Sequence, residues 1–204
     1  VQRNDCCRGR MMGKQRWETK HFVLAGIFAA VTFAVAFMLG AGIILATGIP
    51  ATGGIANIFA AVLIVIIGAK LAPRFGFATL TIGLLFTIAI PTIIGGPPGI
   101  YKVINGILIG LTADIVLFFG KRTYISHIVA GSLAAVVSIV SIYYAMLILG
   151  LPAVEKLKPL LLPLSILQAI TGAAGAYVGQ RIFDKRLVKI EAVKRLMSQS
   201  YEHS

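Results

Sequence analysis

The chain of 204 residues is 58% hydrophobic and 13% charged, with a mean hydropathy of +0.92. That is too little charge to cover a water-soluble domain of this size. The net charge of +12 is no nucleic-acid signature, because six of the nineteen Lys/Arg precede His21 and six lie between Arg181 and Arg195. Basic flanks on apolar runs of about 20 residues predict an all-α integral membrane protein lying in a lipid bilayer.

Residues 1–20 read as a disordered, basic, cytoplasmic tail, too polar for a signal peptide, with Met11 or Met12 as the expected natural start. Its adjacent cysteines, Cys6 and Cys7, have no C-x-x-C or Cys/His spacing, so neither a disulfide framework nor a metal is expected. Residues 21–183 read as a six-helix membrane domain. The first span, 22–46, follows Trp17 as an interfacial anchor and carries Ala25-x-x-x-Ala29 and Ala30-x-x-x-Ala34 with Gly26 beside them. Small residues four apart let another helix approach closely, either within the chain or from a partner.

The uncharged Gly/Pro-rich segment 47–54 predicts a loop, and the second span, 55–71, carries Asn57 near that loop. A short basic turn holding Lys70 and Arg74 leads to the third span, 77–94, with Pro91 near its end. The turn GGPPG then opens the stretch 95–120, where Lys102, Asn105, Thr112 and Asp114 share one apolar helix. An ionisable group at membrane depth costs roughly 2.5–3.5 kcal/mol or more, so Lys102 and Asp114 each require a partner or a wet cavity. Twelve residues apart on one helix, they stand about 18 Å from each other and cannot pair.

Lys121 and Arg122 mark the next turn, and the fifth span, 124–150, ends near Tyr143 and Tyr144. After the polar connection 151–159 comes the sixth span, 160–183, with Gln168, Thr171 and Gly175 aligned. Residues 184–204 read as a basic amphipathic cytoplasmic helix with Leu187, Ile190, Val193 and Met197 on one side. The tails and the 70–74 and 121–122 turns hold sixteen basic residues, against Lys102, Lys156 and Lys158 on the other face, which places both termini in the cytoplasm.

Asn57, Tyr101, Lys102, Asn105, Tyr143, Tyr144 and Gln168 all fall in the outer halves of their spans. A few hydrogen-bonding groups among apolar walls suit a small, flat, polar ligand. The competing readings are interfacial belts for the tyrosines, snorkelling for Lys102 and interhelical hydrogen bonds for the amides. Asp114, in the inner half, fits a proton-coupling carboxylate, a structural acceptor for Thr112 or a neighbouring helix, or a contact with a cytoplasmic partner. An enzyme is disfavoured: there is one acid inside the spans, no G-x-S-x-G and no Walker A loop.

Six short spans, an inside N-terminus and Ala25-x-x-x-Ala29 on the first helix resemble the substrate-binding (S) components of energy-coupling factor vitamin transporters. The stretches IGAKLAPRFGFATL (67–80) and NGILIGLTADIVLFFGKRTYISHIVAG (105–131) resemble the thiamine/hydroxymethylpyrimidine type. Asp114 stands where that pattern has a glutamate, and Ile109 where it has a glutamine. The resemblance implies a non-catalytic protein of a prokaryotic cell membrane, with no cofactor of its own. It would capture a vitamin-like ligand beneath the 47–54 and 95–100 loops. It would present Ala25 and Ala29 to a transmembrane coupling subunit that works with two cytoplasmic ATPase subunits. The alternative is a structural or accessory membrane protein without transport.

Overall fold

The computed structural model describes residues 17–47, 50–92, 98–150, 153–191 and 193, and these form helices and turns with no strand. In chain order the helices are α1 (Thr19–Thr47), α2 (Pro50–Leu71), α3 (Phe77–Ile88), α4 (Tyr101–Phe119), α5 (Tyr124–Ile148), a short α6 (Ala153–Leu157) and α7 (Leu161–Lys185). Among the described residues, five helical stretches are long and apolar enough to cross a bilayer: Thr19–Ile43, Gly54–Leu71, Tyr101–Phe119, Tyr124–Ile148 and Lys158–Lys189.

The polarity of α4 is inverted relative to a helix on a soluble protein. It buries Lys102, Asn105 and Asp114 and exposes Ile104, Leu108, Leu111, Ile115 and Phe119. Apolar side chains outward and costly polar ones inward is the arrangement a hydrocarbon solvent selects.

The expected connection 151–159 holds the short helix α6. Of the other differences from the sequence expectation, two are larger than a few residues at a helix end, and proline accounts for both. Helix α2 begins at Pro50 rather than after Gly54, since the missing N–H of proline is harmless at a first helical position. Helix α3 stops at Ile88 instead of reaching 94, because Pro91 has no N–H to give the carbonyl of Thr87 and its ring crowds that carbonyl. At 12 residues α3 is about 18 Å long, short of the roughly 30 Å of a bilayer core. The third expected span is therefore a short helix followed by a turn through Thr92.

The helices close into a ring in the order α1, α2, α7, α5, α4, α3 and back to α1, with α2 also touching α3 and α5 across it. The core includes Ala25, Val65, Phe77, Ile82, Ile109, Leu117 and Ala130. Both described chain ends lie at one end of the bundle. There Trp17 packs against Gly76, and Lys70 at the end of α2 pairs with Asp184 at the end of α7 at 2.7 Å. Beyond α7 the chain makes a 3₁₀ turn at Leu187–Lys189 and becomes extended at Ile190, so the amphipathic helix expected there does not start in register with α7. Residues 1–16 and 194–204, with Cys6, Cys7, Met11, Met12 and Met197, lie outside the described residues, as do 93–97, which include the first three residues of the GGPPG turn.

Candidate functional site

Helix α4 supplies most of the polar side chains singled out from the sequence, and the structure gives its two charges a shared task. Asp114 accepts hydrogen bonds from the backbone amides of Ala78 (3.3 Å) and Thr79 (2.8 Å) and from the Thr79 hydroxyl (2.7 Å). These amides belong to the first turn of α3, which has no cap from its own Gly76. At the other end, the Lys102 ammonium donates to the carbonyls of Ala89 (3.0 Å) and Thr92 (2.5 Å), in the turn that Pro91 forces open. Helix α3 runs antiparallel to α4, so a carboxylate meets the positive end of its dipole and an ammonium the negative end. The spacing that forbids a direct Lys102–Asp114 pair matches the length of α3.

Lys102 is fully buried, so it does not snorkel. Of the roles open to Asp114, the structure shows the acceptor for a neighbouring helix. Thr112 instead bonds back to the Leu108 carbonyl of its own turn, at 2.8 Å.

One turn along α4, Asn105 is 2% exposed, and its Oδ1 accepts from the Ser141 hydroxyl of α5. Its Nδ2 is buried without a hydrogen-bond partner, and so are Oδ1 of Asn57 on α2 and Oε1 of Gln168 on α7. Asn57 packs against α1 at Gly40, where an added Cβ would lie 2.7 Å from its side-chain nitrogen. Among the described residues no hydrogen bond joins Asn57, Gln168 and Asn105 to one another. Tyr143 and Tyr144 stack edge to face with centroids 5.5 Å apart; Tyr143 is half-buried while Tyr144 is 56% exposed, as a residue of an interfacial belt would be. Tyr101 is half-buried, its ring against Gly99.

Ala25 and Ala29 are both fully buried, on a stripe with His21, Thr32 and Ala36 that faces the chain's own bundle. In this structure their small side chains pack inside the molecule. The outward side of α1 carries Ala30 and Ala34, both exposed, and Gly26, around which an added Cβ would meet nothing within 4 Å.

Two polar residues, Ser141 and Gln180, went unmarked in the sequence, and Arg74 stood there only as part of a basic turn. Ser141 reads as neutral because a helical serine can bond its own backbone, as it also does here to Val137. Gln180 donates to the Tyr124 carbonyl (3.1 Å) and leaves Oε1 unmatched. Arg74, in the α2–α3 turn, is 2% exposed, with Nε and Nη1 lacking hydrogen-bond partners. Among the described residues no group of His, Cys, Asp or Glu is placed to hold a metal ion. Comparison with family models, curated proteins and solved structures finds no match to this chain.

Proposed function

We propose that the chain is the substrate-capture subunit of an ATP-driven uptake transporter in a prokaryotic cytoplasmic membrane, taking a small, flat, polar heterocycle of the vitamin or vitamin-precursor class. The observation that carries this reading is the set of orphaned polar atoms on three helices of the ring: Asn105 Nδ2, Asn57 Oδ1 and Gln168 Oε1. A buried polar group left unpaired costs about 1–3 kcal/mol, and native proteins leave few of them. A neutral ligand with its own donors and acceptor, such as an aminopyrimidine, would satisfy both kinds of atom. Lys102 then acts indirectly, holding the α3 turn beside Asn105, while the amides and the half-buried Tyr101 and Tyr143 recognise the ligand.

In this reading the chain performs no catalysis and depends on a transmembrane coupling subunit and two cytoplasmic ATPase subunits for energy. The small-residue strip Gly26, Ala30 and Ala34 takes the coupling contact in place of the buried Ala25 and Ala29. Helix α3 and the turn after it make a sixth crossing, with both tails cytoplasmic. The basic residues at the end of the bundle holding Lys70, Lys121, Arg122 and Lys185 support that orientation. The second reading is an accessory protein without transport, and one observation favours it: both intramembrane charges are engaged with α3.

Mass spectrometry of small molecules that co-purify with the detergent-solubilised chain separates the two. The capture role predicts one stoichiometric heterocycle, thermal stabilisation by the same compound, and at least a tenfold loss of affinity in Asn105→Ala. No bound compound and no shift with a panel including thiamine and its pyrimidine precursor would leave the accessory role standing.

A further inference from the structure

The turn between α4 and α5 is built unusually for a connection of ordinary residues. Lys121 and Arg122 both take left-handed backbone conformations, with φ of 50° and 52°. Such geometry is disfavoured for side chains with a Cβ and persists only where the surroundings enforce it. Here the amides of Lys121 and Arg122 donate back to the carbonyls of Phe118 (3.3 Å) and Leu117 (3.0 Å), and side chains tie the turn down further. Arg122 is drawn inward to the Ala69 carbonyl of α2 at 3.2 Å, and Thr123 caps α5 by accepting from the Ser126 amide at 3.3 Å. Lys121 is left exposed at the rim.

Beneath that rim, residues of α4 and α5 line a shallow, open apolar groove of about 410 Å³. Ile115, Phe119 and Gly120 form one wall, and Ile125, Ser126 and Val129 the other. At the head of the groove the two helices touch, with the buried Ser126 packed directly on the backbone of Gly120. Its walls face outward: Phe119 is 77% and Ile125 71% exposed. No acidic residue occurs between 115 and 129, and Asp114 points the other way, into α3.

We propose that this groove is a binding site for one phospholipid with an anionic headgroup, its acyl chain lying between α4 and α5 and its phosphate held at Lys121. The layout follows the lipid: an apolar channel open to the hydrocarbon, ending at a cation held at the membrane surface by a rigid turn. A soluble ligand would have to leave water for a wall that faces lipid tails. A general attraction of basic residues to an anionic leaflet accounts for Lys121 alone but requires no groove. The site stands on different residues from the capture reading and holds whether or not that reading does.

The test is native mass spectrometry of the full chain titrated with phosphatidylglycerol or phosphatidylcholine of identical acyl chains. The wild type is expected to retain one phosphatidylglycerol with about fivefold preference, the effect of one basic residue at an anionic surface. Lys121→Gln should remove that preference, and Lys158→Gln, beyond the opposite end of the bundle, should keep it. Val129→Trp fills the groove and leaves the charge intact, so it should abolish selective retention. Ile115→Trp, at an exposed position on the opposite wall, serves the same purpose should Val129→Trp lose its thermal transition. Equal retention of the two lipids by the wild type would overturn the proposal. So would undiminished phosphatidylglycerol binding in a folded groove-filled variant, or a protein dimer that the groove-filling substitution dissolves.

Discussion

Helices α5 and α7 meet through backbone, whereas α3 and α4 meet through backbone and two charges. At the first seam, an added Cβ at Gly131 would lie 2.8 Å from both the Gly172 carbonyl and the Ala176 Cβ. At the second, a Cβ at Gly106 would lie 2.9 Å from the Ile82 carbonyl, so the approach is as close. The difference is length. Helices α5 and α7 have 25 residues each, and their unpaired terminal groups lie far from the shared middle. Helix α3 has 12, and a helix of any length leaves four N–H and four C=O groups without partners inside it. Those groups make up a large share of a short helix, and in a bilayer no water reaches the interior to satisfy them. Close packing suffices for a long membrane helix, while a short one also needs its ends capped, and α4 carries both caps.

The sharpest way to break this comparison is Asp114→Ala. It strands two amides and a hydroxyl at the start of α3, and hydrogen bonds to a charged group are worth about 1.5–3 kcal/mol. A loss of about 3 kcal/mol is expected, read from thermal unfolding in detergent, with Asp114→Asn losing less because one acceptor oxygen remains. A cost below about 1 kcal/mol would mean that α3 stands without its cap. Gly172→Ala probes the other seam. Its new methyl would meet the Gly131 backbone and, at 2.8 Å, the Ala135 side chain, and such overpacking costs about 1–3 kcal/mol. Retention of the wild-type melting temperature would show that α5 and α7 have room to part. The smallest effect is expected at Gly42 of α1, where an added Cβ meets nothing within 4 Å. Gly42→Ala should leave the melting temperature unchanged or raise it by the equivalent of at most about 1 kcal/mol, since alanine loses less backbone entropy in a helix.

Apolar run length located every described helix but the short α6, because the cost of an unsatisfied backbone in hydrocarbon leaves an apolar run little choice but helix. The end of α3 was misplaced because Ile93 and Ile94 continue the apolar pattern past Pro91, and hydropathy does not register a missing amide. That Lys102 and Asp114 needed partners could be read from their cost. That their partners would be peptide groups could not, because every residue type carries the same backbone. Ala25 and Ala29 show another limit. In a helix apolar on all sides, two strips of small residues look alike, and no polar face says which one turns inward. The signal was slight: His21 and Thr32, the polar residues on the buried stripe, fall in line with Ala25, Ala29 and Ala36. The orphaned atoms of Asn57, Asn105 and Gln168 had no counterpart in the sequence, since an amide looks the same there whether or not its partner is present.

The clamp also bears on how the chain enters the membrane during synthesis. Emerging alone, α3 is too short to hold a transbilayer position, and the turn that ends it exposes carbonyls to lipid. Emerging alone, α4 brings a lysine and an aspartate into hydrocarbon, at roughly 2.5–3.5 kcal/mol each on insertion scales. Each segment removes the other's penalty, because the charges of one are the missing hydrogen-bond partners of the other. Entering the membrane as one unit would let each segment offset the other's cost before lipid meets either of them.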